Sequence, residues 1–272
     1  GQRLLAGPWN HNGGSARSDA GWNAGFFFDF SAESTMMRFF AEHLKGEAPV
    51  ADAAPVKIYV MGANEWRDEH EWPLARTEWT AYHLHAGGRL AGEAPAENPP
   101  ERYTYDPRDL VPGPLAIGPT LDDQIDFDAV AARPDVLTYS TEPFATEVEV
   151  TGPVRVELWA ASSAVSTDFV AKLIEVFADG TCVSLCQGVV RTHGATAGAV
   201  YRHEIDLAAT SVVVKAGHHL RLQVASSEYP TYEPNPNTGG RITHSTESVV
   251  AAQSVYHDPL HPSRVVLPII PG

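Results

Sequence analysis

No apolar run in this chain approaches the ~20 residues that cross a bilayer, and no signal-peptide pattern opens it. Basic residues are scarce, 19 Lys and Arg against 34 Asp and Glu, which leaves a net charge of −15. Binding nucleic acid needs a basic stripe that displaces counterions, and docking on an anionic membrane needs the same, so the charge balance argues against both partners. Cysteine is limited to Cys182 and Cys186. On one strand they would project from one face, roughly 13 Å apart at ~3.3 Å per residue. A disulfide requires Cα atoms within about 7 Å. Two small buried thiols are expected instead, which fits a reducing compartment such as the cytoplasm. No Gly-x-Ser-x-Gly nucleophile elbow occurs. Ser15, after Gly13-Gly14, has no strand before it and no convincing helix after it. Neither Cys-x-x-Cys nor His-x-x-x-His is present, although these are spacings a zinc site would use. Despite twelve histidines, no metal and no cofactor is expected; His83, His85, His218 and His219 read as exposed strand histidines. There is no internal repeat of fixed period.

What is present divides at about residue 75. The 272 residues, 43% of them hydrophobic, suffice for one large or two ordinary domains. Leu4-Leu5-Ala6 reads as a strand that runs into a tight turn, Gly7-Pro8-Trp9-Asn10-His11. Open α/β sheets do chemistry outside the carboxyl ends of their strands, and a histidine there can take and return a proton near neutral pH. Phe26-Phe27-Phe28 is an apolar segment that needs a cover. Residues 31–45 read as an amphipathic helix with Ser31 as N-cap. Its Met37, Phe40, Ala41 and Leu44 follow the i, i+3, i+4, i+7 spacing of one buried face. Residues 56–61 read as a strand, and helix followed by strand is α/β alternation. Residues 64–74 read as the crossover out of this first part.

Beyond residue 76 the helical period ends. Residues 154–160 and 219–224 alternate apolar and polar, as half-buried strands do. Residues 168–177 are apolar on both faces and should be central. Asp179-Gly180 reads as a type I′ turn leading into a return strand at 181–190. Further strands are expected at 78–85, 136–139, 146–150, 201–207 and 263–270. That count predicts two packed antiparallel sheets. Residues 87–100 should be a mobile, exposed loop, and residues 226–241 a rigid, proline-rich loop packing the sandwich end.

Six stretches then fall in an order with a wider meaning: Gly7-Pro8-Trp9 with His11; Arg38-Phe39-Phe40 with His43-Leu44-Lys45-Gly46-Glu47; Val60-Met61-Gly62 with Glu65-Trp66-Arg67; Ser140-Thr141-Glu142; Ser166-Thr167-Asp168-Phe169; and Asn237-Thr238-Gly239-Gly240. Together they resemble the later part of the cocaine esterase and α-amino-acid ester hydrolase family, CocE/NonD-type serine hydrolases related to the Xaa-Pro dipeptidyl peptidases. The resemblance implies a mainly β chain. Residues 1–75 would be the last helix and strands of an α/β-hydrolase domain. Residues 76–272 would be a jelly-roll β-sandwich of galactose-binding-like type. It implies that His11 is the triad histidine of a serine hydrolase that cleaves a small-molecule ester or amide through an acyl-enzyme. Leu115 and Ile117 would face the acyl group. The serine and acid of the triad would belong to a missing N-terminal catalytic portion. A start without methionine and the missing triad partners suggest a fragment, inactive alone, whose unpaired strand edges favour association with another copy. Asp168 reads as a structural carboxylate rather than the triad acid. The alternative is a free-standing, non-catalytic β-sandwich module that binds a ligand or a partner chain.

Overall fold

A computed structural model describes residues 2–9, 21–22, 24, 32–48, 54–114, 125–242 and 246–272. His11, Ser15, Phe26–Phe28, Ser31, Leu115 and Ile117 lie outside the described residues. The chain is mainly β, as its alternation predicts. It opens with β1 (Leu4–Ala6), α1 (Ala32–Lys45), β2 (Val56–Val60) and β3 (Glu65–Glu69). β2 is the middle of a three-stranded sheet, parallel to β1 and antiparallel to β3. The expected crossover at 64–74 is therefore a hairpin over much of its length. Gly62 and Asn64, at φ 78° and 59°, supply the left-handed backbone that reverses the chain.

The helix forms where its period places it, but its apolar stripe is exposed. Met37 is 59%, Phe40 49% and Leu44 78% accessible. Amphipathic spacing tells which face needs burial and not what covers it; no described element does so here.

The rest is a β-sandwich. In chain order come β4 (Glu78–His85), β5 (Arg89–Ala91), β6 (Glu101–Tyr105), α2 (Phe127–Ala131), β7 (Leu137–Ser140), β8 (Val148–Ser162), β9 (Asp168–Val176) and β10 (Cys182–Arg191). They are followed by β11 (Tyr201–Val214), β12 (His219–Ala225), β13 (Ala251–Asp258), β14 (His261–Pro262) and β15 (Arg264–Ile270). The hydrogen-bonded order runs β10-β9-β12-β7-β5-β4-β15-β8-β13-β14, with β11 on β8 and β6 on β13, and a single parallel pairing of Arg89 with Ser140 joins β5 to β7. Val154, Val156 and Leu158 of β8 meet Phe169, Ala171 and Leu173 of β9 in one buried cluster. Each such side chain contributes about 1.5–3 kcal/mol on burial. β9 is buried along its whole length, as a central strand should be. α2 covers its outer face, with Phe127 packed on Ile174 and Val176. The carboxylate of Asp126 caps α2 by accepting from the amides of Asp128 and Ala129.

Several local expectations change. Only Gly180 of the β9–β10 turn has positive φ, 89°, and Phe177 N donates to Thr181 O at 2.8 Å. This is a three-residue turn with a left-handed glycine, not a two-residue type I′ turn, which needs positive φ at both central residues. β10 carries both cysteines, free of any disulfide, but a bulge between Ser184 and Cys186 shifts the register. A one-residue shift swaps faces: Cys186 joins the inner core while Cys182 packs on the outer cluster under α2. Residues 87–100 hold β5, whose Leu90 is 1% exposed, so that loop is anchored rather than free. The 226–241 segment packs as expected, with Asn235 and Asn237 buried and Asn235 Nδ2 donating to Asp168 Oδ1 at 2.8 Å. Among the described residues, no helix is long and apolar enough to cross a membrane.

Candidate functional site

The carboxyl ends of β1 and β2 lie side by side, because the register pairs Leu4 with Val56 and Ala6 with Ile58. Immediately past β1 the chain turns sharply: Trp9 N donates to Gly7 O at 2.8 Å. This three-residue closure is what the Gly-Pro-Trp run promises. The Trp9 ring lies 5.4 Å from the ring of Trp66 on β3, and Trp66 meets Tyr59 of β2 edge-on, also at 5.4 Å. Gly7 fills the space between the two indoles. A Cβ there would stand 3.0 Å from Trp66 Cη2 and 3.1 Å from the ring of Trp9.

Past the end of β2, Met61 leaves the small sheet and joins the sandwich. Its amide donates to Ser211 O at 2.9 Å and its carbonyl accepts from Val213 N at 2.8 Å. Val213 also packs with Val56, Ile58 and Val60 in one apolar cluster. A charged network fastens the same junction. Arg67 of β3 donates through Nη1 and Nη2 to Glu149 of β8 at 2.9 and 2.6 Å, a bidentate pair. Thr151 Oγ1 adds a third bond to Glu149 at 2.8 Å. The bond to Glu149 raises the Arg67 pKa. Arg76 donates twice to Glu69 and thereby holds the Glu69 carboxyl below its usual range. Between these fastenings lies a cavity of about 270 Å³, lined by Gly7, Pro8 and Trp9, by Tyr59 and Met61, and by β10 and β11 through Leu185 and Ser211. It sits where an open α/β sheet does its chemistry.

His11 follows Trp9 by two residues and lies outside the described set, as do Leu115 and Ile117. The chain leading to Leu115 is held at its base. Gly113 N donates to Tyr229 O at 2.8 Å, and Thr231 Oγ1 to Pro114 O at 2.7 Å. Asp168 accepts from Arg191 Nε and Nη2 at 2.9 and 2.7 Å and is 2% exposed, which is the structural carboxylate the sequence suggested. None of the four expected strand histidines is exposed: His83, His218 and His219 are half-buried, His218 lies just before β12, and His85 is 7% accessible, where burial, then Arg89, lower its pKa. Among the described residues, no group of three or more His, Cys, Asp or Glu side chains could hold a metal ion. The resemblance singles out Trp66 and Arg67, but from sequence the stretch that holds them reads as a crossover rather than a strand. Glu65–Glu69 holds one apolar residue, Trp66, so no apolar alternation marks it as a strand.

Residues 49–266 match the family described as the X-Pro dipeptidyl-peptidase C-terminal non-catalytic domain. The chain is 38% identical over 297 residues to the cocaine esterase of Rhodococcus sp. (strain MB1 Bresler), a match that takes in 98% of this chain and 51% of that protein. An aminopeptidase from a marine sediment Thaumarchaeota archaeon superimposes with a TM-score of 0.84 at 26% identity, covering 99% of this chain and 49% of that one. An α-amino acid ester hydrolase superimposes with a TM-score of 0.83 at 28% identity, covering 98% and 50%. The chain thus spans about half the length of these relatives. The family match begins at residue 49, so the Gly-Pro-Trp turn precedes it.

Proposed function

Since the chain belongs to the family of X-Pro dipeptidyl-peptidase C-terminal domains, in the group that includes the cocaine esterase and α-amino-acid ester hydrolases, we propose that it is the C-terminal part of a serine hydrolase. In this reading residues 1–75 close an α/β-hydrolase domain and residues 76–272 form a jelly-roll sandwich that walls its active site. The observation that carries the proposal is the turn at Gly7–Trp9. It stands at the carboxyl end of a strand, over a cavity bounded by the sandwich.

His11 is then the triad histidine. It takes the proton of a serine supplied by the preceding half of the protein and passes it to the leaving group. It then activates water to release the acyl-enzyme. The acid that orients it comes from the same half. Leu115 and Ile117 face the acyl group, and the substrate is a small-molecule ester or amide. The 272 residues alone, lacking the nucleophile, are inactive. The exposed stripe of α1, with Met37, Phe40 and Leu44, is where the preceding half packs.

The test is His11→Ala in the full-length protein, assayed on p-nitrophenyl acetate. Loss of a triad member costs several orders of magnitude in rate, and the melting temperature should not move. A variant within about tenfold of wild type sinks the assignment.

The second reading, a non-catalytic binding module, draws on the description of the family as non-catalytic. It requires that no nucleophile elbow precede residue 1 in the full reading frame.

A further inference from the structure

The cavity past the ends of β1 and β2 holds about 270 Å³, and among the described residues that line it there is no Asp, Glu, Lys, Arg or His. The chain around it carries a net charge of −15. Four of the lining residues are aromatic, Trp9, Trp22, Tyr59 and Trp72, and each packs on a further side chain. Trp9 and Tyr59 both lie 5.4 Å from Trp66. Trp22, 4% exposed, lies 6.3 Å from Phe177. Trp72 packs on the cluster of Val56, Ile58, Val60 and Val213. Walls that are fixed before a ligand arrives lose little freedom when it binds. Two hydroxyl residues of β11 also line the cavity, and their states differ. Ser211 Oγ shares a hydrogen bond with Thr151 Oγ1 at 3.0 Å. Thr210 is 6% exposed, and its Oγ1 has no hydrogen-bond partner among the described residues. A buried hydroxyl left without a partner calls for an explanation.

We propose that this cavity binds a small, uncharged ring compound whose one polar group pairs with Thr210. Volume sets the size. An apolar cavity of about 150 Å³ takes up benzene, so this larger one admits a single ring with a short arm. The lining sets the charge. An ion buried without a counter-ion is costly, and the described residues offer none, so carboxylates and ammonium compounds are turned away. The indoles and the phenol ring set the shape, since flat rings pack on them edge-on or offset. The Thr210 hydroxyl rotates to donate or to accept, so an alcohol or a carbonyl on the arm satisfies it. Nothing here depends on His11 or on a serine. The ligand is held by side chains that the 272 residues themselves supply.

Titration of the 272-residue chain with 2-phenylethanol tests this, with the indole N–H signals of its tryptophans followed by NMR. The signals of Trp9, Trp22 and Trp72 should shift and saturate with a Kd at or below about 1 mM. Those of Trp79 and Trp159, which do not line the cavity, should stay in place. Phenylacetate and 2-phenylethylammonium have the same ring and a similar arm but carry a charge, and should bind at least about tenfold more weakly. Thr210→Val keeps the shape and removes the hydroxyl. It should weaken 2-phenylethanol about fivefold and leave ethylbenzene within about twofold. Ala209 lines the cavity from an exposed position, so Ala209→Leu should fold and should abolish the saturable shifts by filling the space. Absence of saturable shifts in the wild-type chain would overturn the proposal, as would shifts spread evenly over all the tryptophans or equal affinity for the charged compounds. Binding that survives Ala209→Leu would place the ligand elsewhere and overturn it too. Unchanged affinity in Thr210→Val would remove Thr210 from the site.

Discussion

Strand β2 and helix α1 sit within 30 residues of each other, and their apolar faces meet opposite fates. Val56, Ile58 and Val60 are 6, 1 and 0% exposed, sealed by Val213 of β11. Met37, Phe40 and Leu44 are 59, 49 and 78% exposed. Both segments carry a clean apolar pattern, so pattern alone does not distinguish them. What separates them is a partner. The sandwich reaches β2 through a backbone bridge and an apolar cluster, and its neighbour β3 through the Arg67–Glu149 pair, and none of these reaches α1. By attachment, then, β2 and β3 go with the sandwich, although in the proposed scheme they descend from the other domain.

That contrast can be broken at its strongest point. Ile58→Ala empties a fully packed position and should destabilise the 272-residue chain by about 2–5 kcal/mol, read by urea denaturation. An effect under about 0.5 kcal/mol would mean that the junction is not part of the cooperative unit.

A smaller effect follows from pH. The Glu69 pKa is held down in the folded chain, mainly by Arg76. A depressed carboxyl contributes stability above its unfolded pKa and loses it as pH falls through the folded value. The attachment should therefore weaken on acidification from the ordinary glutamate range downward. Glu69→Gln should flatten the stability-against-pH curve in that window. An unchanged curve would remove Glu69 from the account.

The smallest effect belongs to α1. Leu44→Lys should change the stability of the 272-residue chain by less than about 0.5 kcal/mol, since the site is exposed. In the full-length protein the same substitution should cost several times more if, as proposed, the preceding half packs on the stripe. Equal small effects in both would leave the exposed stripe without a partner in the longer polypeptide.

Sequence legibility followed local periodicity. β8 and β12 were readable because apolar residues recur at every second position over 154–160 and 219–224, and β9 because it is apolar on both faces and is buried along its whole length. β13 was not. Its inward positions include Gln253 and His257, both 1% exposed. Gln253 Nε2 donates to Thr167 Oγ1 at 2.7 Å and to Ser226 Oγ at 3.1 Å, and only the folded partners make such an inward polar residue tolerable. The faces of Cys182 and Cys186 were misjudged for a related reason, because a bulge is set by pairing and leaves no local mark. At the candidate site, the turn after β1 was visible in Gly-Pro-Trp, and the role proposed for it comes from the resemblance. The support under it was not visible, because Trp66 reaches Trp9 across 57 residues of chain.

The Met61–Val212 bridge has a mechanical consequence. Two backbone hydrogen bonds, at 2.9 and 2.8 Å, join the small sheet to β11, and the Arg67–Glu149 fork flanks them. A joint of that kind behaves as a weld and not as a hinge: rotation about it would shear main-chain bonds and drag a charged fork out of register. In any motion of the protein this junction would travel as one stiff piece.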